Sequence, residues 1–172
     1  MLLAKGGEHT RHAGQVLGCD AKAAEIEGAD AFVYFGGGKF HPLAIATSKP
    51  VLCIDPHLGD SYWITDDIKR AERKRTMAIV AASQAKVFGI LISSKCGQQN
   101  LSGARIAKKA VEKKGRKAML LVANELSPLS LSNFMSFDAY INTACPRIND
   151  DTEAYGKPVV DIRDLKRLLE LM

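Results

Sequence analysis

Aromatic residues are scarce: phenylalanine, tyrosine and tryptophan make up 6% of the 172 residues, with one tryptophan. The core must therefore rest on aliphatic strands and alanine-rich helices. Long hydrophobic runs are missing too. No stretch reaches the roughly 18 apolar residues of a membrane span, and Met1-Leu2-Leu3-Ala4-Lys5 begins no apolar signal segment. The expectation is a cytoplasmic protein with no membrane partner. The cysteines Cys19, Cys53, Cys96 and Cys145 stand singly. A secreted disulfide scaffold carries them densely and a zinc ribbon carries them in close pairs, so neither class fits. Isolated thiols in a reducing compartment are packing residues or ligands gathered from distant segments. There is no G-x-S-x-G and no H-E-x-x-H, and no Ser or Thr follows Lys39 in Gly36-Gly37-Gly38-Lys39 as a phosphate loop requires. His41 and His57 each sit beside a proline turn and read as surface or packing residues.

What remains is ordinary for a globular chain: 47% apolar and 25% charged. The length suits one large or two small domains. The net charge of +5 gathers at Lys69–Arg75 and Lys108–Lys117. Both segments fall on predicted helices and no aromatics interleave with them. They read as solvated faces, and no direct nucleic-acid contact is predicted.

Strand and helix patterns alternate. Ala31–Gly36, Val51–Asp55, Lys86–Ser94, Lys117–Ala123 and Asp138–Ala144 are short apolar runs, mostly without polar alternation, as in strands buried on both faces. Helical patterns run from about Asp66 to Gln84 and from Leu101 to Lys114, the second capped by Gly115. A short helix follows Ser127, with Pro128 at its first position. The alternation predicts an α/β fold with mainly parallel sheets covered by helices.

An internal repeat divides the chain. Asp30-Ala31 is followed 19 residues after the aspartate by Lys49-Pro50-Val51, and Asp138-Ala139 at the same spacing by Lys157-Pro158-Val159. Two related α/β units are expected, residues 1–85 and 86–172. In such units, sites collect beyond the carboxyl ends of parallel strands. Gly36-Gly37-Gly38, the turn Ser93-Ser94-Lys95-Cys96-Gly97-Gln98 and Ala144-Cys145-Pro146 all occupy that position.

Four segments, GQVLGCD (Gly14–Asp20), DAFVYFGGGKFHPLAIATSKPV (Asp30–Val51), GILISSKCGQQ (Gly89–Gln99) and DAYINTACPRINDD (Asp138–Asp151), together resemble the archaeal-type diphthamide synthase family. The resemblance implies three similar α/β domains, each giving one loop cysteine to a [4Fe–4S] cluster, in a homodimer. Cys19 and Cys145 are the two cysteines it carries over, on a middle-type and a carboxyl-terminal domain. It also implies transfer of a 3-amino-3-carboxypropyl group from S-adenosylmethionine to a histidine of translation elongation factor 2, by radical chemistry fed by an electron donor. Arg147 is the natural clamp for the substrate carboxylate. Ser94 and Gln98 either bind the same end or simply hold their turn. Cys96 is either a turn thiol or a replacement third ligand, and Cys53 a buried packing thiol. The family's first domain has no counterpart in the sequence, so a truncated form, a shortened product or a split enzyme with a cysteine-bearing partner chain is expected. A non-catalytic partner subunit, or a cluster-free ligand-binding module, stays open beside these.

Overall fold

The computed structural model describes residues 2–45, 47–134, 136–149 and 152–172. Its strands and helices, in chain order, are β1 (Phe32–Phe35), β2 (Val51–Asp55), β3 (Asp60–Trp63), α1 (Thr65–Ser83), β4 (Val87–Ser93), α2 (Leu101–Lys113), β5 (Lys117–Ala123), α3 (Pro128–Leu131), β6 (Ala139–Asn142), β7 (Val159–Asp161) and α4 (Leu165–Glu170). The chain forms two compact units, Met1–Lys74 and Arg75–Met172. The division falls inside α1, whereas the sequence reading placed it after that helix. The reason is local to the second unit: Ile79 and Ala82 of α1 join the core over β4, and Arg75 pairs with buried Asp164.

The first unit holds a three-stranded sheet in the order β1-β2-β3, with β1 parallel to β2 and β3 antiparallel. One face is buried, with Val51 and Cys53 of β2 packed beside Ile45, Ile64 and Ile68, and with Phe32, Tyr34 and Tyr62 against them. Cys53 is fully buried, as a packing thiol should be. β3 escapes sequence reading because Asp60-Ser61 opens it with two polar, exposed residues. The preceding turn creates it. The Asp55 carboxylate accepts the amides of His57 and Leu58, and Gly59 takes a positive φ of 66° that reverses the chain.

The second unit holds four strands, all parallel, in the order β5-β4-β6-β7. Phe88, Ile90 and Ile92 point to one face of β4, into a core with Ala104, Ala107 and Val111 of α2 and Leu168 of α4. Leu91, Tyr140 and Val159 point to the other, against Leu126, Leu131 and Phe137. Small α2 residues let the helix lie close to the sheet. The Asn100 side chain caps it by accepting the Gly103 amide at 2.9 Å, and Gly115 ends its turn at φ 75°.

The repeat has a structural counterpart. The Phe32 amide donates to the Pro50 carbonyl and the Tyr140 amide to the Pro158 carbonyl, each at 2.9 Å. Phe32 pairs with Val51 and Tyr140 with Val159, so both Lys-Pro steps enter their strands at one register.

Gly89 faces the Tyr140 ring, and a Cβ there would stand 2.8 Å from Tyr140 Cδ1. Gly89→Ala is expected to destabilise the fold by about 1–3 kcal/mol through overpacking. Denaturant unfolding should show part of that loss restored in Gly89→Ala/Tyr140→Leu, where the ring is gone.

Candidate functional site

The strand order of the second unit dictates where a cleft opens. Counted from β4, the order is second, first, third, fourth, so the chain leaves β4 toward one edge and later returns to its other side. Crevices form beyond the carboxyl ends at such a reversal. A cleft of 360 Å³ lies there, its walls including Ser93 at the end of β4, Lys95 and Gln98 beyond it, Asn124 and Glu125 after β5, and Cys145 and Arg147 after β6.

The turn after β4 is held by its own polar atoms. Ser93, 2% exposed, accepts the Lys95 amide on its hydroxyl, and the Ser94 amide donates to the Ala123 carbonyl, tying this turn to the end of β5. The Gln98 amide closes onto the Lys95 carbonyl with Gly97 at φ 75°. The Lys95 ammonium meets the Glu125 carboxylate at 2.8 Å. Both groups line the cleft, which thus carries cationic and anionic groups.

The loop after β6 is held by Asn142. This amide is 1% exposed, and its nitrogen donates to the Cys145 carbonyl at 2.9 Å and to Asn149 Oδ1 at 3.1 Å, while its oxygen accepts the Ala144 amide at 2.9 Å. Those bonds bend the chain back, so β6 stops at Asn142, short of the strand end at Ala144 that apolarity alone predicts. Asn149 passes the tie on to Asp161 at 2.7 Å, and Asp161 receives Arg163 through two nitrogens, each at 2.8 Å. Burial pushes the Asp161 carboxyl up, but the bonds and charge of Arg163 outweigh it and hold its pKa below the ordinary 3.8. Thr143 adds a bond from its hydroxyl to the Leu91 carbonyl at 2.7 Å. Sequence reading missed Asn142, Asn149 and Asp161. The only signal was a polar residue inside an otherwise apolar strand.

Among the six residues singled out from the sequence, Gln98, Cys145 and Arg147 line one cleft. Ser94 and Cys96 are exposed in the neighbouring turn and are not among its walls. Cys19 lies in the first unit, exposed at the tip of a tight turn where Leu17 and Asp20 exchange backbone bonds of 2.8 and 3.0 Å. His41 Nδ1 accepts the Gly18 amide at 3.0 Å, so this histidine supports the thiol loop. Asp20 anchors the loop from below by accepting the Gly7 and His9 amides. Burial raises its pKa, and the amides of His9, Lys22 and Gly7 lower it by more, so it too titrates below 3.8.

Cysteine thiolates are the donors that iron–sulfur clusters take. The side chains present thus fit such a group in kind, but among the described residues no three His, Cys, Asp or Glu side chains are placed to hold a metal ion.

An all-parallel four-stranded sheet with packed side chains on both faces defines the second unit as α/β. Comparison with known proteins narrows this. The profile of the diphthamide synthesis protein family matches residues 2–171, and the chain belongs to that family. It is 40% identical over 172 residues to the 2-(3-amino-3-carboxypropyl)histidine synthase of Pyrococcus horikoshii, covering 98% of this chain and 49% of that one. Subunit 1 of the synthase from Saccharomyces cerevisiae is 29% identical, over 91% of this chain and 38% of its own length. A crystal structure of Dph2 from Pyrococcus horikoshii with a 4Fe-4S cluster superposes with a TM-score of 0.85 at 38% identity, over 99% of this chain and 49% of that one. The chain therefore spans half or less of the length of these relatives.

Asn142→Asp keeps the acceptor for the Ala144 amide and removes both donated bonds. A loss of about 1–3 kcal/mol is expected from the orphaned acceptors, with faster alkylation of Cys145 as its loop loosens. Asp161 gives a pH signature. Its depressed folded-state pKa contributes stability that is fully present above 3.8 and is lost as pH falls through the lower folded value. Asp161→Asn should remove that part of the acid limb in denaturant titrations between about pH 2 and pH 6.

Proposed function

We propose that this chain takes part in the first step of diphthamide biosynthesis, transfer of the 3-amino-3-carboxypropyl group of S-adenosylmethionine to a histidine of translation elongation factor 2 in the cytoplasm. The observation that supports it most is the meeting of Cys145, Arg147 and Gln98 around one cleft in a chain 40% identical to a synthase of that name. The cleft volume of 360 Å³ falls at the small end of ligand pockets, about 300–1,000 Å³. Arg147 receives the substrate carboxylate as a bidentate donor. The Glu125 carboxylate, by exchanging Lys95 for the substrate, answers the ammonium, and the Gln98 amide supplies a neutral bond. Orientation of the amino-acid end is the task of these side chains.

Cys19 and Cys145 would hold the cluster, with Cys96 as a third thiol beyond the cleft walls. When bound, a [4Fe–4S] cluster supplies one-electron reduction from an external donor. With two matching thiols in hand, the ligand set is completed by Cys96 or by a further cysteine-bearing polypeptide, in a dimer or with a partner chain. The other reading is a non-catalytic subunit that serves a cluster-bearing partner.

Anaerobic reconstitution with iron and sulfide, followed by labelled S-adenosylmethionine, dithionite and elongation factor 2, distinguishes these. No label should reach the factor from this chain alone, and label should reach it once a cysteine-bearing partner is added. Transfer by the chain alone that is lost on Cys96→Ala makes Cys96 the third ligand instead. Iron bound by the mixture and undiminished by Cys19→Ala and Cys145→Ala supports the non-catalytic reading. Arg147→Ala should weaken S-adenosylmethionine binding about 10- to 100-fold, the worth of a charged hydrogen bond, as calorimetry would read.

A further inference from the structure

The helix α2 carries uncompensated charge. Between Arg105 and Lys117 stand seven basic residues and one acid, Glu112, an excess larger than the +5 of the whole chain. Ala104, Ala107 and Val111 turn to the sheet. Arg105, Lys109 and Lys113 are exposed, and at i, i+4 and i+8 they form one row down the outer side of the helix, with about 6 Å between steps. Among the described residues the segment holds one ion pair, Lys108 with Glu112 at 3.7 Å, and none of the three row residues has an acidic partner.

α1 shows how a solvated helix handles charge. It interleaves the signs: Lys69 lies 3.6 Å from Asp66 and Arg70 3.6 Å from Asp67, each three residues away. α2 instead sets like charges at i, i+4, which disfavours the helix. An anionic surface from outside relieves that repulsion.

The row starts at the cleft. Gln98 is one of the cleft walls, Asn100 caps α2, and Arg105 lies one turn beyond the helix start at Leu101. Ile106, beside the row, is 62% exposed. A protein that lowers a histidine into the cleft brings its own surface against this rim, and α2 leads away from the rim. A small molecule held in the cleft spans no such distance, since Lys113 stands about 18 Å along the helix axis from Leu101.

We propose that the outer side of α2, through Arg105, Lys109 and Lys113, docks the protein that presents the acceptor histidine, and that this protein is acidic beside that histidine. The identity of the partner rests on the transferase reading. Complementary charge of this kind steers encounter and sets the association rate more than the lifetime of the complex. No aromatic residue interleaves with the row, so single-stranded nucleic acid does not fit it.

Binding of the 172-residue chain to elongation factor 2 is measured at about 50 mM and about 300 mM salt. Arg105→Glu/Lys109→Glu/Lys113→Glu is expected to lower the association rate at least about 10-fold at the lower salt, with dissociation changed less than about 3-fold. Higher salt should shrink the difference from wild type. Lys69→Glu/Arg73→Glu/Lys166→Glu makes the same change in net charge at exposed positions off α2, and should keep association within about 3-fold of wild type. Circular dichroism verifies folding, and Arg105→Gln/Lys109→Gln/Lys113→Gln serves if the reversal unfolds α2, with about a 3-fold loss expected. Equal losses in the two reversals, an association rate indifferent to the α2 row, or no complex at all overturns the proposal. So does a short RNA duplex that binds more tightly than the factor and is released by the α2 reversal, which makes the row a phosphate-backbone site. The two readings fail separately. Label transfer that the α2 reversal leaves unchanged removes the docking surface alone, and α2-dependent binding without transfer in any mixture removes the transferase reading alone.

Discussion

A buried carboxamide cannot be left without partners, since an orphaned buried polar group costs about 1–3 kcal/mol. Asn142, at 1% exposure, satisfies that demand by bonding the Ala144 amide, the Cys145 carbonyl and Asn149. The chain is thereby forced out of β6 and folded over the strand ends. Cys145 and Arg147 reach the cleft because this one side chain fixes the path between them. The tie continues through Asn149 to Asp161 and out to Arg163, so the loop is anchored at the ends of two adjacent strands.

Both units use the same device at a smaller scale. Asp55 at the end of β2 and Asp161 at the end of β7 each turn a carboxylate back onto the amide two residues on, His57 and Arg163 respectively. An aspartate in that position favours a turn over strand continuation. The two units diverge after that turn: Gly59 sends the first into an antiparallel strand, while the second enters a helical turn and α4. One local rule yields two outcomes, decided by the residues that follow.

The parallel strands were legible because they are apolar without alternation, and β2 and β5 begin and end where that pattern predicts. The caps of α2 and α3 were legible through Gly115 and Ser127-Pro128. β3 was not, since its polar opening carries no periodic signal and its existence depends on the Asp55 turn. α4 was not either, at six residues too short to show a helical period. At the site, the place of Cys145 and Gln98 beyond strand ends was readable from the strand pattern and Arg147 entered through the resemblance, whereas the Asn142 network was not readable. Its members lie seven and twelve residues apart in sequence and meet only once the sheet is formed. The pairing of Lys95 with Glu125 likewise depends on β4 and β5 lying side by side.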